Sequence, residues 1–398
     1  MNKSNKLLFV AALGLVSSAV QAEVRINGFA SIYAGKTTSG EQSVYGFDDD
    51  ISFANESKFA VQVVADLQDN LTATAQLIAR GRDDYDAEFE WAYVTYHIDD
   101  ASQLSAGKMR IPFYKYSDYL DVGYAYRWVR PPQSVYGLSF STYEGASYLR
   151  NDVLGSWDSS LQLLYGNLSE DIVAYTYSDA AKMKSILGIN WTVSRDWFSA
   201  RAAYLTADVS IDASNLASLS QLIAGLEQFG LANQASDLRT EEDRGYFLGI
   251  GFSIDYNNIL VDGEYTELEV DNSALAPQQQ FFVSVGYRFG DVTLHTTYEE
   301  NEDKHKNSRF NTVPLTINHP DLGTIPVSTD PTNPNAPSLR SLTNLALMSA
   351  YIDTSTWSVG MRYDFHPSAA FKVEYSRVDN KVIDEQTGVM AVGVDVVF

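Results

Sequence analysis

From about residue 24 to its last residue the chain keeps returning to one pattern. Segments of roughly ten residues alternate apolar and polar side chains and are closed off by polar turns. Successive side chains of a strand point to opposite faces, so each segment predicts a strand with one apolar and one polar face. Trp357, Val359, Met361, Tyr363 and Phe365 alternate with Ser358, Gly360, Arg362 and Asp364. Val283 to Phe289 and Leu71 to Ala79 repeat the arrangement.

Sixteen such segments are expected, near 24–35, 57–67, 71–81, 88–98, 103–110, 142–150, 157–166, 185–194, 196–207, 244–255, 258–270, 280–289, 291–300, 355–365, 369–379 and 388–398. The connections between them alternate short and long only if another candidate, 171–178, belongs to a long loop. It is therefore assigned to one, although a count of eighteen stays open. Proline cannot donate to a strand ladder. Of the eleven prolines, none falls in an expected strand, and Pro367 alone sits in a short connection.

A ring of sixteen strands is too wide for its own side chains to fill, so its interior must be wet and its apolar face must point outward. That arrangement is a barrel spanning a lipid bilayer. Trp191, Trp197 and Trp357 fall close to strand ends, where interfacial aromatics belong. No later run of 18 apolar residues offers a spanning helix. Residues 1–22 read as a signal peptide: Lys3 and Lys6, an apolar stretch from Leu7 to Val16, then Val20-Gln21-Ala22 before a mature domain of 23–398. Losing two lysines takes the formal charge from −23 to −25. The absence of cysteine excludes disulfides and thiolate metal sites, and a pI near 4.5 argues against nucleic-acid binding. No cofactor or metal site is implied.

The chain ends Met390-Ala391-Val392-Gly393-Val394-Asp395-Val396-Val397-Phe398. This tail resembles the terminal recognition signal of Gram-negative outer-membrane barrels. Gly393, Val396 and Phe398 match that signal, and Ala391 departs from its polar position. Signal peptide, sixteen strands and a third long loop of about thirty residues together resemble the trimeric porins. Within that loop, Ser117-Asp118, Asp121 to Tyr126, Trp128 and Pro131-Pro132 are similar to porins described as DcaP-like. The resemblance implies an all-β, sixteen-stranded antiparallel barrel in the outer membrane whose third loop, 110–141, folds inward and narrows the pore. It also implies a homotrimer, contact with lipopolysaccharide and outer-membrane lipid, delivery to the barrel-assembly machinery through Phe398, and passive diffusion of small hydrophilic solutes.

The candidate selectivity residues are Arg110, Lys115, Asp118, Asp121, Arg127 and Arg130. Between 108 and 150, Lys108, Arg110, Lys115, Arg127, Arg130 and Arg150 face Asp118, Asp121 and Glu144, a balance of +3. Arg80, Arg201, Arg288, Arg362 and Lys372 join them on positions expected to face the lumen. Charges lining a narrow channel select solutes by sign. One reading is a constriction that favours small anions such as carboxylates. The other is that these cations pair with carboxylates and pin the loop to the wall. Asp262, Glu264 and Glu374 also point inward by alternation and weigh against the first.

Asp48 to Asp50 and Asp83 to Asp86 read as solvated loop charge, with divalent-cation bridging to lipopolysaccharide as the alternative. Leu216, Leu219, Leu222, Ile223, Leu226 and Phe229, after a Ser214 cap, predict a loop helix packed against the vestibule or a neighbouring loop, with a membrane or partner site as the alternative. Catalysis is not expected. No HExxH, GxSxG or P-loop occurs, and none of His97, His295, His305, His319 and His366 has a nucleophile fixed beside it by spacing. The histidine nearest to a site is His295, with Asp262 and Glu264 expected on an adjacent strand. The competing class is a receptor or adhesin with an occluded lumen.

Overall fold

The computed structural model describes residues 23–39, 43–138, 140–174, 177–212, 217–304, 310–319, 321, 323–328 and 337–398. The proposed signal peptide, Ser214, Leu216 and His305 lie outside them. The strands follow in chain order: β1 (Val24–Ser39), β2 (Lys58–Gln68), β3 (Leu71–Arg80), β4 (Ala87–His97), β5 (Ser102–Arg110), β6 (Thr142–Leu154), β7 (Trp157–Ala174), β8 (Tyr177–Arg195) and β9 (Phe198–Asp212). They continue with β10 (Thr240–Tyr256), β11 (Ile259–Val270), β12 (Gln278–Phe289), β13 (Val292–Asp303), β14 (Thr316–His319), β15 (Gly323–Pro326), β16 (Asp353–His366), β17 (Ala369–Asn380) and β18 (Glu385–Val397). β14 and β15 form a separate hairpin inside a loop, and the other sixteen strands close into one barrel. Every barrel neighbour is antiparallel, including the closing pair, Phe29↔Val397 through Ser39↔Gly388.

All sixteen expected segments are barrel strands, and none of them contains proline. One assignment needs correction. Residues 171–174 and 177–178 are not loop but the ends of β7 and β8, which pair on from Leu168↔Met183 to Ala174↔Tyr177. They add no strand. They lengthen one hairpin, so the alternation of short and long sides holds with a shorter connection there.

The outer face is apolar, as the alternation requires. Val283, Val285, Tyr287, Phe289, Trp357 and Val359 are exposed outward, whereas Ser284, Thr297, Ser358 and Ser376 between them are buried inward. The ends of the chain close the ring. Gly28 and Phe398 exchange two backbone hydrogen bonds of 2.8 and 2.9 Å, and the Phe398 ring stacks on Phe59 at 6.0 Å between centroids. A side chain at Gly28 would collide with the Phe398 ring and with the Ala60 carbonyl. Gly393 lies opposite Tyr33, whose ring covers the space a Cβ would need.

The inner face is not polar throughout. On the long-loop half of β7–β10 it carries Leu164, Leu168, Ile186, Leu205, Val209 and Phe247, all buried. Among the long loops, 213–239 carries α2 (Ala217–Gln228) and α3 (Ala232–Ser236), and 304–352 carries α4 (Leu339–Ser349), after the short α1 (Gln133–Tyr136) in the third loop. Leu219, Leu222, Ile223 and Leu226 of α2 are buried against Val313, Ile317, Leu339 and Leu347. The expected loop helix therefore packs on its neighbour. No helix among the described residues is long and apolar enough to cross a membrane, which says nothing against crossing by strands.

Candidate functional site in the third loop

Residues 111–141 leave the end of β5 and fold into the barrel. Tyr124 shows how deep they go: its hydroxyl donates to the carbonyl of Pro367, in a turn on the short side, at 2.8 Å. An interior loop cannot join the wall's ladder, because the strands already use each other's backbone groups. Its own polar backbone must find wall side chains instead, and it does. The amide of Lys115 donates to Glu264 (3.0 Å), that of Val129 to Glu374 (3.3 Å) and that of Ser134 to Glu299 (2.7 Å). In the other direction Lys372 donates to the carbonyls of Gly123 (2.6 Å) and Trp128 (2.8 Å). Arg362 donates to Tyr124 and Tyr126 (2.6 and 2.9 Å), and Arg201 donates to Pro112.

Side chains complete the attachment. The Trp128 indole donates to Thr297 (2.9 Å) and Ser284 (3.2 Å) while its ring lies fully buried. Phe113, Tyr114, Tyr136 and Phe140 pack on the apolar inner wall of β7–β10. Phe113 and Phe247 stand edge-on with 4.7 Å between ring centroids. The Tyr116 hydroxyl donates to Asp262 at 2.5 Å, and Tyr136 donates to Glu264.

Most of the cations singled out from the sequence are paired. Arg127 meets Asp262 at 2.5 Å, and Arg130 meets Glu56 at 2.7 Å and Glu374 at 3.7 Å. Lys372 and Asp395 pair at 2.8 Å, with less than 2 % of either side chain exposed. Arg362 pairs with Asp364 and Arg288 with Asp255. Arg110 and Arg80 share Asp121 (2.5 and 3.2 Å) and Glu90 (2.7 and 2.5 Å). Arg150 pairs with Asp152 near the short-turn side, so it adds nothing to the loop's charge. Lys115 and Arg201 differ. Neither forms an ion pair among the described residues: Lys115 donates to the Ser199 hydroxyl at 2.9 Å, and Arg201 keeps a buried Nε without a partner.

Two cavities flank the loop. One of about 640 Å³ lies against β3–β9, lined by hydroxyls and amides such as Thr74, Ser147, Gln162 and Asn190, with Arg110, Lys115, Asp118 and Arg201 among its charges. The other, about 490 Å³, lies against β10–β16 and is lined by the pairs Arg127–Asp262, Arg288–Asp255 and Arg362–Asp364. The first cavity carries the unpaired cations and the second carries balanced charge.

Several anchors escaped the sequence reading. Lys58, Glu299 and Asp395 sit on the inner phase of their strands and were readable by alternation. Glu90 was not. Opposite the Gln76–Leu77 step, where the register shifts, β4 carries an extra residue, so Glu90 and Trp91 both turn inward. His295 is also misplaced by the sequence reading. It lies on β13, two strands from β11, and its Nε2 is 3.9 Å from Glu374 rather than beside Asp262 or Glu264. Glu300, Glu302 and Asp353 lie close enough to share a cation, but Lys381 already bonds Glu300 at 2.9 Å and Asp353 at 3.1 Å, so an ammonium supplies that charge.

The fold and the family are matched by other proteins. A sequence profile of the Gram-negative porins matches residues 10–395. No curated protein matches. Among solved structures, an anion-selective porin from Comamonas acidovorans superposes with a TM-score of 0.57 at 10 % identity, covering 95 % of this chain and 100 % of that one. The outer membrane channel DcaP of Acinetobacter baumannii gives 0.57 at 11 % identity, with 96 % and 99 % covered. OmpF of Salmonella typhi, in complex with daunomycin, gives 0.55 at 14 %, with 95 % and 98 % covered.

Two predictions follow from the anchoring. Replacing Lys372 by Met leaves Asp395 and two loop carbonyls buried without their cation, which costs about 3–5 kcal/mol. Thermal unfolding should shift down accordingly, and proteases should gain cleavage sites within 111–141. The second concerns pH. Burial opposes ionisation of Asp121, but Arg110, Lys58 and Arg80 outweigh it and hold the carboxyl well below the usual carboxylate range. A depressed folded pKa contributes stability at every pH above the unfolded value, lost only as pH falls through the folded one. Protection of the loop should therefore be flat from neutral pH to about 4 and decline only below that.

Proposed function

The chain belongs to the Gram-negative porin family and forms an outer-membrane channel, and from that premise we propose that small hydrophilic solutes cross it by diffusion past the loop 111–141, with small anions favoured. The observation that carries the reading is the pair of cations on the larger cavity. Lys115 and Arg201 face it with no carboxylate bonded to either, whereas the charges of the other cavity cancel. In a low-dielectric wall a cation without a bonded carboxylate attracts anions and repels cations over a Debye length of about 10 Å, here against the opposing field of Asp262 and Glu264. Asp118 on the same rim moderates the preference. Arg110, Arg127 and Arg130, each held by carboxylates, act in this reading as pins rather than as selectors.

Passage involves no chemical step, so the protein is not an enzyme in this reading. Residues 1–22 serve as an export signal. Phe398, with Gly393 and Val396, is presented to the barrel-assembly machinery before it closes on Gly28. The apolar outer face contacts lipid, lipopolysaccharide meets the long-loop rim, and three copies assemble as a homotrimer, in line with the trimeric form described for OmpT of Vibrio cholerae.

The test is the reversal potential of single channels under a potassium chloride gradient. The expected sign is anion-selective, and Lys115→Gln with Arg201→Gln should move it toward neutral or cationic. Burial pushes the Lys115 ammonium below its usual pKa against the pull of Asp262 and Glu264, so anion preference should fade on the alkaline side before an ordinary lysine titrates, near pH 10.4. Cation selectivity in the unmodified protein would refute the anion reading. Folded, inserted protein without current would favour an occluded receptor.

A further inference from the structure

Asp121 sits in a setting that its role as a pin does not explain. It is a single loop carboxylate, 9 % exposed, set among three wall cations: Arg110 at 2.5 Å, Arg80 at 3.2 Å and Lys58 at 3.6 Å. The remaining charges around those cations are the buried Glu90, on the bulge of β4, and Glu88, whose side chain is more than half exposed. Without Asp121 the wall would hold three cations against one buried carboxylate and one solvated one. The Nε of Arg110 is buried and still has no partner. Arg110 also lines the 640 Å³ cavity with Trp91 beneath its guanidinium at 5.2 Å, so it is the member of the cluster that a solute in that cavity meets first.

We propose that Lys58, Arg80 and Arg110 form a carboxylate-binding site on the channel wall, and that the loop's own Asp121 occupies it as a stand-in for an anionic solute. A carboxylate entering the cavity exchanges with Asp121 and releases this arm of the loop. Removing a buried carboxylate from three cations without replacement is costly, because it strands desolvated charge. Exchange for another carboxylate keeps every charge-assisted bond and avoids that cost. The backbone around Asp121 suits a movable arm. It runs between two single-turn 3-10 segments, Ser117–Tyr119 and Gly123–Ala125, and belongs to no strand or longer helix. The chain just after it stays fixed, Gly123 through Lys372 and Tyr124 through Arg362, with Trp128 held beyond, so what moves is the short turn 118–122. The inference rests on the anion reading above and adds a site and an order of events: the anion first displaces Asp121, then passes.

The experiment records single-channel currents with gluconate, an anion, and with glucose, a neutral solute of similar size. It uses the native chain and Asp121→Asn. For the native chain, gluconate should raise the fraction of time in a higher-conductance state and glucose should not. In Asp121→Asn that state should already dominate. Gluconate should then bind at about tenfold lower concentration, read in the variant as brief block of the open current, because the site is no longer filled by its competitor. If the native chain responds equally to both solutes, or if Asp121→Asn matches the native chain in affinity and conductance, the displacement mechanism is overturned. The native-chain comparison decides the matter even if the variant fails to fold. The reversal potential in the same records separates the two failures. Anion selectivity without a gluconate response sinks the displacement alone, and cation selectivity sinks the reading beneath it.

Discussion

A chain segment inside a sixteen-stranded ring has no backbone partner, since every strand's amides and carbonyls are bonded to its neighbours on both sides. The third loop is therefore held by wall side chains that reach its backbone. Glu264, Glu299 and Glu374 accept its amides, and Lys372, Arg362 and Arg201 cap its carbonyls. These long polar side chains occupy the inner phase of strands whose outer phase must satisfy lipid. The alternation that lets the barrel enter a bilayer thus also places the loop's anchors.

The inner wall divides the work. On β7–β10 it is apolar toward the long loops and takes the loop's aromatics, burying Phe113, Tyr114, Tyr136 and Phe140. Over β11–β18 it is polar and charged, and it takes the loop's backbone and the Trp128 indole. The protein carries a formal charge of −23, yet its buried cations gather around this one loop. Pairing cancels nearly all of them. Among the described residues Lys115 and Arg201 are the loop-facing cations that no carboxylate bonds, and in the proposed reading they rather than the overall balance set the sign of the channel.

The sixteen strands were legible because lipid makes the same demand along the whole outer face, and the register shifts interrupt that phase only locally. The interior was legible only in part. Alternation placed Arg80, Arg201, Arg362 and Lys372 inward, but it could not say what they meet. Arg127 finds Asp262 across 135 residues, and Lys372 finds Gly123 across 249. The bulge at Glu90 breaks the phase locally, and the apolar inner wall of β9 blurs it where Ala202, Ala203, Tyr204 and Leu205 follow one another. Residues 171–178 read as loop because a seventeenth strand would break the alternation of short and long connections; 171–174 and 177–178 lengthen β7 and β8 without adding a strand, which only the register shows. The choice between selecting and pinning cations depended on such long-range partners. The distances give each residue's partners, and its role as pin or selector belongs to the proposed reading.

The central claim is that the solute path runs through the cavity between the loop and β3–β9. The chain has no cysteine, so a single thiol at Asp118→Cys, on the loop side of that cavity, can be modified alone by a bulky thiosulfonate while one channel is recorded. A stepwise loss of most of the current, reversed by reductant, is the predicted result. An unchanged current, with modification confirmed by mass, would place the path elsewhere and contradict the account.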